Sequence, residues 1–256
     1  MGRIFELGRN FRNEGADATH NPEFTACEVY AAWSDYDEMR ELTRRIVLRV
    51  AQAVNGRPVA LRPDGAGGVR EVDLTAPWPV VTIHQAVSRA SGHELSATST
   101  VAEVAAACEE HGIEVRGGAT AGQLVMELYE ALVEKQTDYP TFYCDFPQEV
   151  SPLARPHRSV PGLTEQWDLV GFGAELGCAY SELTDPIDQR ERLTEQSLAA
   201  AAGDPEAMQL DEDFLEALGY GMPPTGGLGL GVDRIVMLLL GQPIRATLAF
   251  PFVRPQ

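Results

Sequence analysis

"FELGRNFRNEGADATHNPEFTACEVYAAWSDY", residues 5–36, is two apolar runs joined by a polar loop. Residues 3–12 and 23–31 read as two strands, with Gly15, Asn21 and Pro22 in the connection. Adjacent antiparallel strands send alternate side chains to one face. Arg12, Glu14, Phe24, Glu28 and Tyr30 then line a common surface, and Glu28 and Tyr30, two apart, point the same way. An arginine there grips a phosphate or carboxylate through two hydrogen bonds. A phenylalanine stacks on a planar base, and a glutamate holds an ammonium group. A solvated hairpin with cross-strand ion pairs uses the same residue types, so single residues leave both readings open.

Outward from this hairpin, a helix is expected from about Asp35 to Val54. Asp35 and Glu38 form its capping box, and Met39, Leu42, Ile46, Val47 and Val50 its apolar stripe. "NGRPVALRPDGAGGVREVDL" reads as a hairpin with a glycine-rich tip. "PWPVVTIHQAVSRASG" reads as a turn and a short helix. "TSTVAEVAAACEEHG" reads as a helix with a Thr100/Glu103 capping box that Gly112 stops. Residues 120–136 form another amphipathic helix, which makes 76–136 a small helical insertion. "TFYCDF", "QWDLVGFGAEL" and "CAYSEL" read as strands, and a helix runs from Pro186 to about Ala202. "DEDFLEALGYG" is a short helix, and "GGLGLGVDRIVMLLLG" a glycine-rich strand or loop that feeds an apolar helix. Strands, inserted helices and strands again predict an α+β fold on a mainly antiparallel sheet.

The 256 residues suit one large domain or two small ones, with enough chain to bury a core. A composition of 44% hydrophobic and 23% charged residues is that of an ordinary globular protein. No apolar run reaches 18 residues, so no spanning helix and no membrane contact are expected, and the first residues do not read as a signal peptide. The four cysteines are far apart, which excludes zinc-finger spacing and fits reduced thiols in a cytoplasmic protein. A net charge of −18 opposes broad binding to nucleic acid or an anionic membrane. It suits a cationic substrate; a polyanion needs local arginines. The same charge also serves solubility.

FRNEG, THNPEF and the Glu28-x-Tyr30 pair follow one another in an order that closely resembles motif 2 of class II aminoacyl-tRNA synthetases, in their lysyl subtype. "GGLGLGVDRIVMLL" resembles motif 3 of that class, and "EVSPLARPH" and "ELGCAYSELTDPIDQRERL" resemble the segments between them. The resemblance covers nearly the whole chain. It is strongest to the actinobacterial type in which a lysine–tRNA ligase is fused behind a lysyl-phosphatidylglycerol synthase. It implies a class II synthetase-like antiparallel sheet flanked by helices. It also implies two steps: lysine attacks ATP to give lysyl-adenylate and pyrophosphate, and the lysyl group then passes to tRNA(Lys).

The resemblance also implies residue roles. Arg12 and Arg234 are the catalytic arginines, Arg12 on the α-phosphate and the lysine carboxylate and Arg234 on the γ-phosphate side. Glu14 meets the adenine amino group, His20 lies near the terminal phosphates, and Phe24 lies under the base. Gly226, Gly227, Gly229 and Gly231 let a nucleotide come close to the backbone. Glu175 holds Mg2+, with Asp168 beside it where many relatives carry glutamate; a strand-edge carboxylate is the plainer reading of each. Glu28, Tyr30 and Glu182 take the lysine ε-ammonium, and Tyr180 walls its stem. Cys178 stands in the lysine pocket where many relatives carry asparagine, and reads as a packing thiol. In the family, motif 1 with its homodimer interface, a "PELYLK"-like segment and an anticodon-binding barrel lie upstream of motif 2. Met1 directly precedes motif 2, so residues 1–256 are expected to be a truncated catalytic domain that meets tRNA weakly or not at all alone. The alternatives are a paralogue that forms lysyl-adenylate for a non-tRNA acceptor, and a non-catalytic protein that binds lysine and ATP.

Overall fold

The structure is a computed structural model that describes residues 2–12, 19–64, 66, 68–201 and 207–251. The opening hairpin is β1 (Arg3–Phe11) and β2 (Glu23–Ala32), and α1 (Tyr36–Asn55) follows. Asp35 caps α1 by accepting from the N–H groups of Asp37 and Glu38. The expected capping box is half formed: the Glu38 carboxylate accepts from the Ser34 hydroxyl at 2.7 Å instead of returning to the cap. The hairpin β3 (Val59–Pro63) and β4 (Val69–Asp73) forms a separate two-stranded sheet.

Next come β5 (Val80–Thr82), α2 (Ile83–Ser91), α3 (Val101–Glu110) and α4 (Ala121–Leu132). Strand β5 did not stand out in the sequence, because three residues are too few to show an alternation. The capping box of α3 is complete, and α4 ends at Leu132 with a 3-10 turn at Glu134–Gln136, earlier than the expected single helix. Then come β6 (Thr141–Pro147), β7 (Leu163–Gly171) and β8 (Ala174–Ser181). "QWDLVGFGAEL" is therefore not one strand but a tight β7–β8 hairpin, turned at Phe172 and Gly173, both with positive φ. Last are α5 (Pro186–Ala201), α6 (Glu212–Gly219), β9 (Thr225–Gly231), α7 (Val232–Leu240) and the single turn α8 (Ile244–Thr247).

The main sheet has the order β1-β2-β9-β8-β7-β6-β5, antiparallel except for the β5–β6 pair. The period-2 pattern explains its two faces. Leu228 and Leu230 of β9 and Trp167 and Leu169 of β7 pack against Met39, Val47 and Ala51 of α1 and Ile235, Leu238 and Leu239 of α7. Helices α2–α4 cover the opposite face at its β6 end, around Tyr143, Phe146 and Val170. Phe142 and Cys144 belong to the first core, so simple alternation would place Phe146 there too. The pairing shifts between Cys144 and Phe146, where Asp145 has φ 63°, and this bulge turns Phe146 to the other face. Among the described residues no helix is long and apolar enough to cross a membrane.

Gly226 shows how closely the layers meet. A Cβ there would lie 2.9 Å from the Asp35 carbonyl oxygen and 3.0 Å from Met39 Cγ. Gly226→Ala is expected to force α1 off the sheet and destabilise the fold by about 1–3 kcal/mol, read as a lower denaturant midpoint.

Candidate active site

The register assembles the site on the sheet face opposite α1. One row runs Glu6, Glu28, Gly229, Cys178, Asp168, Tyr143 across six strands, and the next runs Ile4, Tyr30, Gly227, Tyr180, Gln166. Strand β9, between β2 and β8, contributes Gly227, Gly229 and Gly231 to this face and its leucines to the core. The result is a floor of bare backbone walled by the functional side chains of β2 on one side and β8 on the other.

Glu182 follows β8, and a Cβ on Gly227 would collide with its carboxylate and lie 3.1 Å from the Tyr30 ring. The Tyr30 hydroxyl donates to Glu28 at 3.4 Å, and Asn10 donates to the other Glu28 oxygen at 3.4 Å. Burial pushes the Glu182 carboxyl up to about 7. Burial, then the charges of Glu182 and Glu28, pushes Tyr30 up to about 12. Among the described residues neither carboxylate forms an ion pair with a lysine or arginine. Two acids and a phenol thus face one another without a cation. On the adjoining row the Cys178 thiol lies 3.5 Å from the Tyr180 hydroxyl. Burial, then the charges of Glu175 and Asp168, pushes this thiol far up, and the Arg12 charge opposes them. It is a half-buried thiol kept protonated, which does not suit a nucleophile.

The other end of the floor carries the arginines. Arg12 stands over the Phe24 ring, 5.3 Å from its centroid. Arg234 donates to the Glu175 carbonyl at 2.7 Å and approaches its carboxylate at 3.6 Å. Its other amino group lies 3.0 Å from His20 Nε2, which must accept because a guanidinium only donates. Asp233 does not pair with Arg234; it accepts from the Thr25 N–H at 2.7 Å and ties β2 to the start of α7. Glu175 reaches this face through a second irregularity. Asp168 pairs with Cys178 and Leu169 with Gly177, but Val170 pairs with Glu175, so the register skips Leu176. Leu176 drops into the core, and Glu175 joins Asp168 on the site side. Glu14 lies outside the described residues.

Burial, then the Glu175 charge, raises the Asp168 carboxyl, while a hydrogen bond from Gln166 at 3.4 Å opposes the rise. Two hard-oxygen donors that repel each other beside an arginine fit a magnesium ion shared with phosphate oxygens. Among the described residues no three His, Cys, Asp or Glu side chains form a metal cluster. Asn10, Gln166 and Ser151, which fixes Gln166 by donating to its amide oxygen at 2.7 Å, were not foreseen. Nothing local marks them; only strand register brings them here. A cavity of about 310 Å³ lined in part by His84, Glu149 and Arg192 contains none of these site residues.

The chain matches the family model described as tRNA synthetases class II (D, K and N) over residues 1–254, and it belongs to that family. It is 58% identical over 256 residues to the "Lysylphosphatidylglycerol biosynthesis bifunctional protein LysX" of Nocardia farcinica, covering 100% of this chain and 23% of that protein. It is 57% identical to the protein of the same name from Mycobacterium marinum and 55% identical to that from Mycobacterium tuberculosis. Those matches cover 99% of this chain and 23% and 22% of the relatives. The chain thus spans under a quarter of the length of these relatives.

Two outcomes follow from this geometry. A Cβ on Gly229 would meet nothing within 4 Å. Gly229→Ala should therefore leave stability unchanged or raise it by up to about 1 kcal/mol, yet abolish nucleotide binding measured by calorimetry. The Glu182 carboxyl is raised from 4.5 to about 7 in the fold, so its protonated form is the one the fold favours. Its contribution is fully present below about 4.5 and is lost as pH rises through about 7. Denaturation of Glu182→Gln at pH 5.5 and pH 8 should show a smaller loss of stability between the two than the parent chain shows.

Proposed function

We propose that this chain is the catalytic part of a lysine–tRNA ligase, which activates lysine with ATP and passes the lysyl group to tRNA(Lys). The observation that carries this reading is the pocket of Glu28, Glu182 and Tyr30, whose acids pair with no lysine or arginine among the described residues, at one end of a glycine floor whose other end holds Arg12, Phe24 and Arg234. An ammonium group taken out of water needs paired charge and hydrogen bonds, and two carboxylates with a phenol supply both. The lysine stem then runs along Tyr180, and its carboxylate faces Arg12. Arg12 grips the lysine carboxylate and the α-phosphate together and stabilises the charge that builds up as carboxylate oxygen attacks phosphorus. Arg234, with His20 beside it, holds the departing pyrophosphate. Magnesium, when bound, neutralises phosphate charge, and Glu175 and Asp168 are the residues to hold it. Catalysis is by positioning and charge, with no protein nucleophile.

The relatives' names support a second reading, in which lysyl-adenylate made here serves an acceptor other than tRNA. The −18 net charge also favours an acceptor less anionic than tRNA. Both readings share the first half-reaction. Lysine-dependent exchange of pyrophosphate into ATP should occur with the parent chain and fall by about 100-fold or more in Arg12→Ala, the loss typical of removing one charge-stabilising donor. A folded chain without exchange would favour a binding protein. Charging assays with tRNA(Lys) then separate the two readings. Because burial pushes the Glu182 carboxyl up to about 7, lysine affinity should rise with pH up to about 7 and level off above it.

A further inference from the structure

The helical insertion buries one polar side chain against the rings of β6, and the chemistry above gives it no task. Tyr129 on α4 is 3% exposed, and its hydroxyl has no hydrogen-bond partner among the described residues. A buried hydroxyl left unpaired is costly, so a partner is expected. The Tyr129 ring stands edge-on to Tyr143 with centroids 5.2 Å apart, and Tyr143 is the register partner of Asp168 on β7. Tyr143 has a partner of its own, the Thr137 hydroxyl at 2.8 Å. Burial, then the charges of Asp168, Glu134 and Glu175, keeps the Tyr129 phenol protonated, so it stands among acceptors as a donor. Among the described residues Asp168 in turn has one side-chain hydrogen bond, the long 3.4 Å bond from Gln166. An unpaired donor thus packs on the ring of Tyr143, whose register partner across β6 and β7 is a weakly held acceptor.

We propose that Tyr129 is a positioning residue for the cation end of the site: its hydroxyl donates, through one bound water, to the Asp168 carboxylate and holds that carboxylate toward the phosphates. This rests on the adenylate-forming reading above. It gives the insertion a direct part in the site, since α4 would set the aim of a β7 carboxylate.

The test uses the 256-residue chain as parent, Tyr129→Phe, Asp168→Asn and the double variant. Manganese binding in the presence of a non-hydrolysable ATP analogue is followed by electron paramagnetic resonance, and thermal unfolding is followed without ligand. Tyr129→Phe keeps the ring and its edge-on contact, so it should fold. It is expected to weaken manganese binding by about tenfold, the usual scale for a group that orients a metal ligand. It should leave the lysine KM in the exchange assay within about twofold and should not raise the melting temperature, because the hydroxyl it removes has a partner. On the Asp168→Asn background it should add nothing. The proposal is overturned if Tyr129→Phe binds manganese as the parent does and melts higher, the signature of an unpaired hydroxyl relieved. It is also overturned if the substitution weakens binding equally with and without Asp168. A parent chain that binds no manganese with nucleotide overturns the adenylate-forming reading as well; a parent that binds it beside an unaffected Tyr129→Phe overturns this proposal alone.

Discussion

Strand β9 carries two demands in seven residues. It lies inside the sheet between β2 and β8, so both its faces must be used. One face, Leu228 and Leu230, fills the core beneath α1 and α7. The other, Gly227, Gly229 and Gly231, carries no side chain at all. That bare stripe leaves the backbone open on the site face, and it leaves room for Glu182 to fold over Gly227 toward Tyr30. Glycine in a strand interior weakens it, because it gives up side-chain packing and conformational entropy. Here the two leucines and hydrogen-bonded neighbours on both sides offset that loss.

Electrostatics divides the same floor into two ends. Glu28 and Glu182 make one end acidic, and burial pushes the Glu182 carboxyl up to about 7. Arg12 and Arg234 make the other end positive. A zwitterionic amino acid beside a polyphosphate matches that polarity: ammonium at the acidic end, carboxylate and phosphates at the basic end. The −18 charge of the whole chain is then consistent with the site, because the arginines act locally, within about a Debye length of ~8–10 Å. Asp168 and Glu175 sit beside the arginine end and repel one another, which is the setting a divalent cation relieves.

Much of this was legible in the sequence because it depends on period 2. The Glu28–Tyr30 pair, the β1–β2 hairpin and the alternation of glycine and leucine in "GGLGLG" all follow from side chains two apart sharing a face. The helix caps at Thr100 and Asp35 were legible too, though the Glu38 side chain went to Ser34. What escaped were the places where the period slips. Simple alternation from Cys178, Tyr180 and Glu182 puts Glu175 on the core face; the skip at Leu176 returns it to the site. The bulge at Asp145 does the same for Phe146 under the insertion. Neither carries a glycine at the slipped residue to mark it. The approach of Tyr129 and Glu134 to the acids was also unreadable, since it arises from how α4 and its closing turn dock on distant strands.

The central claim is that the glycine stripe of β9 is the floor of a site for lysine joined to a nucleotide. The most direct measurement is a crystal structure of the chain with a non-hydrolysable lysyl-adenylate analogue. The account predicts the adenine on Phe24, the phosphate mimic beside Arg12 above Gly229, and the ε-ammonium between Glu28 and Glu182. An analogue bound elsewhere, or on this face with its ammonium pointing away from both glutamates, would contradict it.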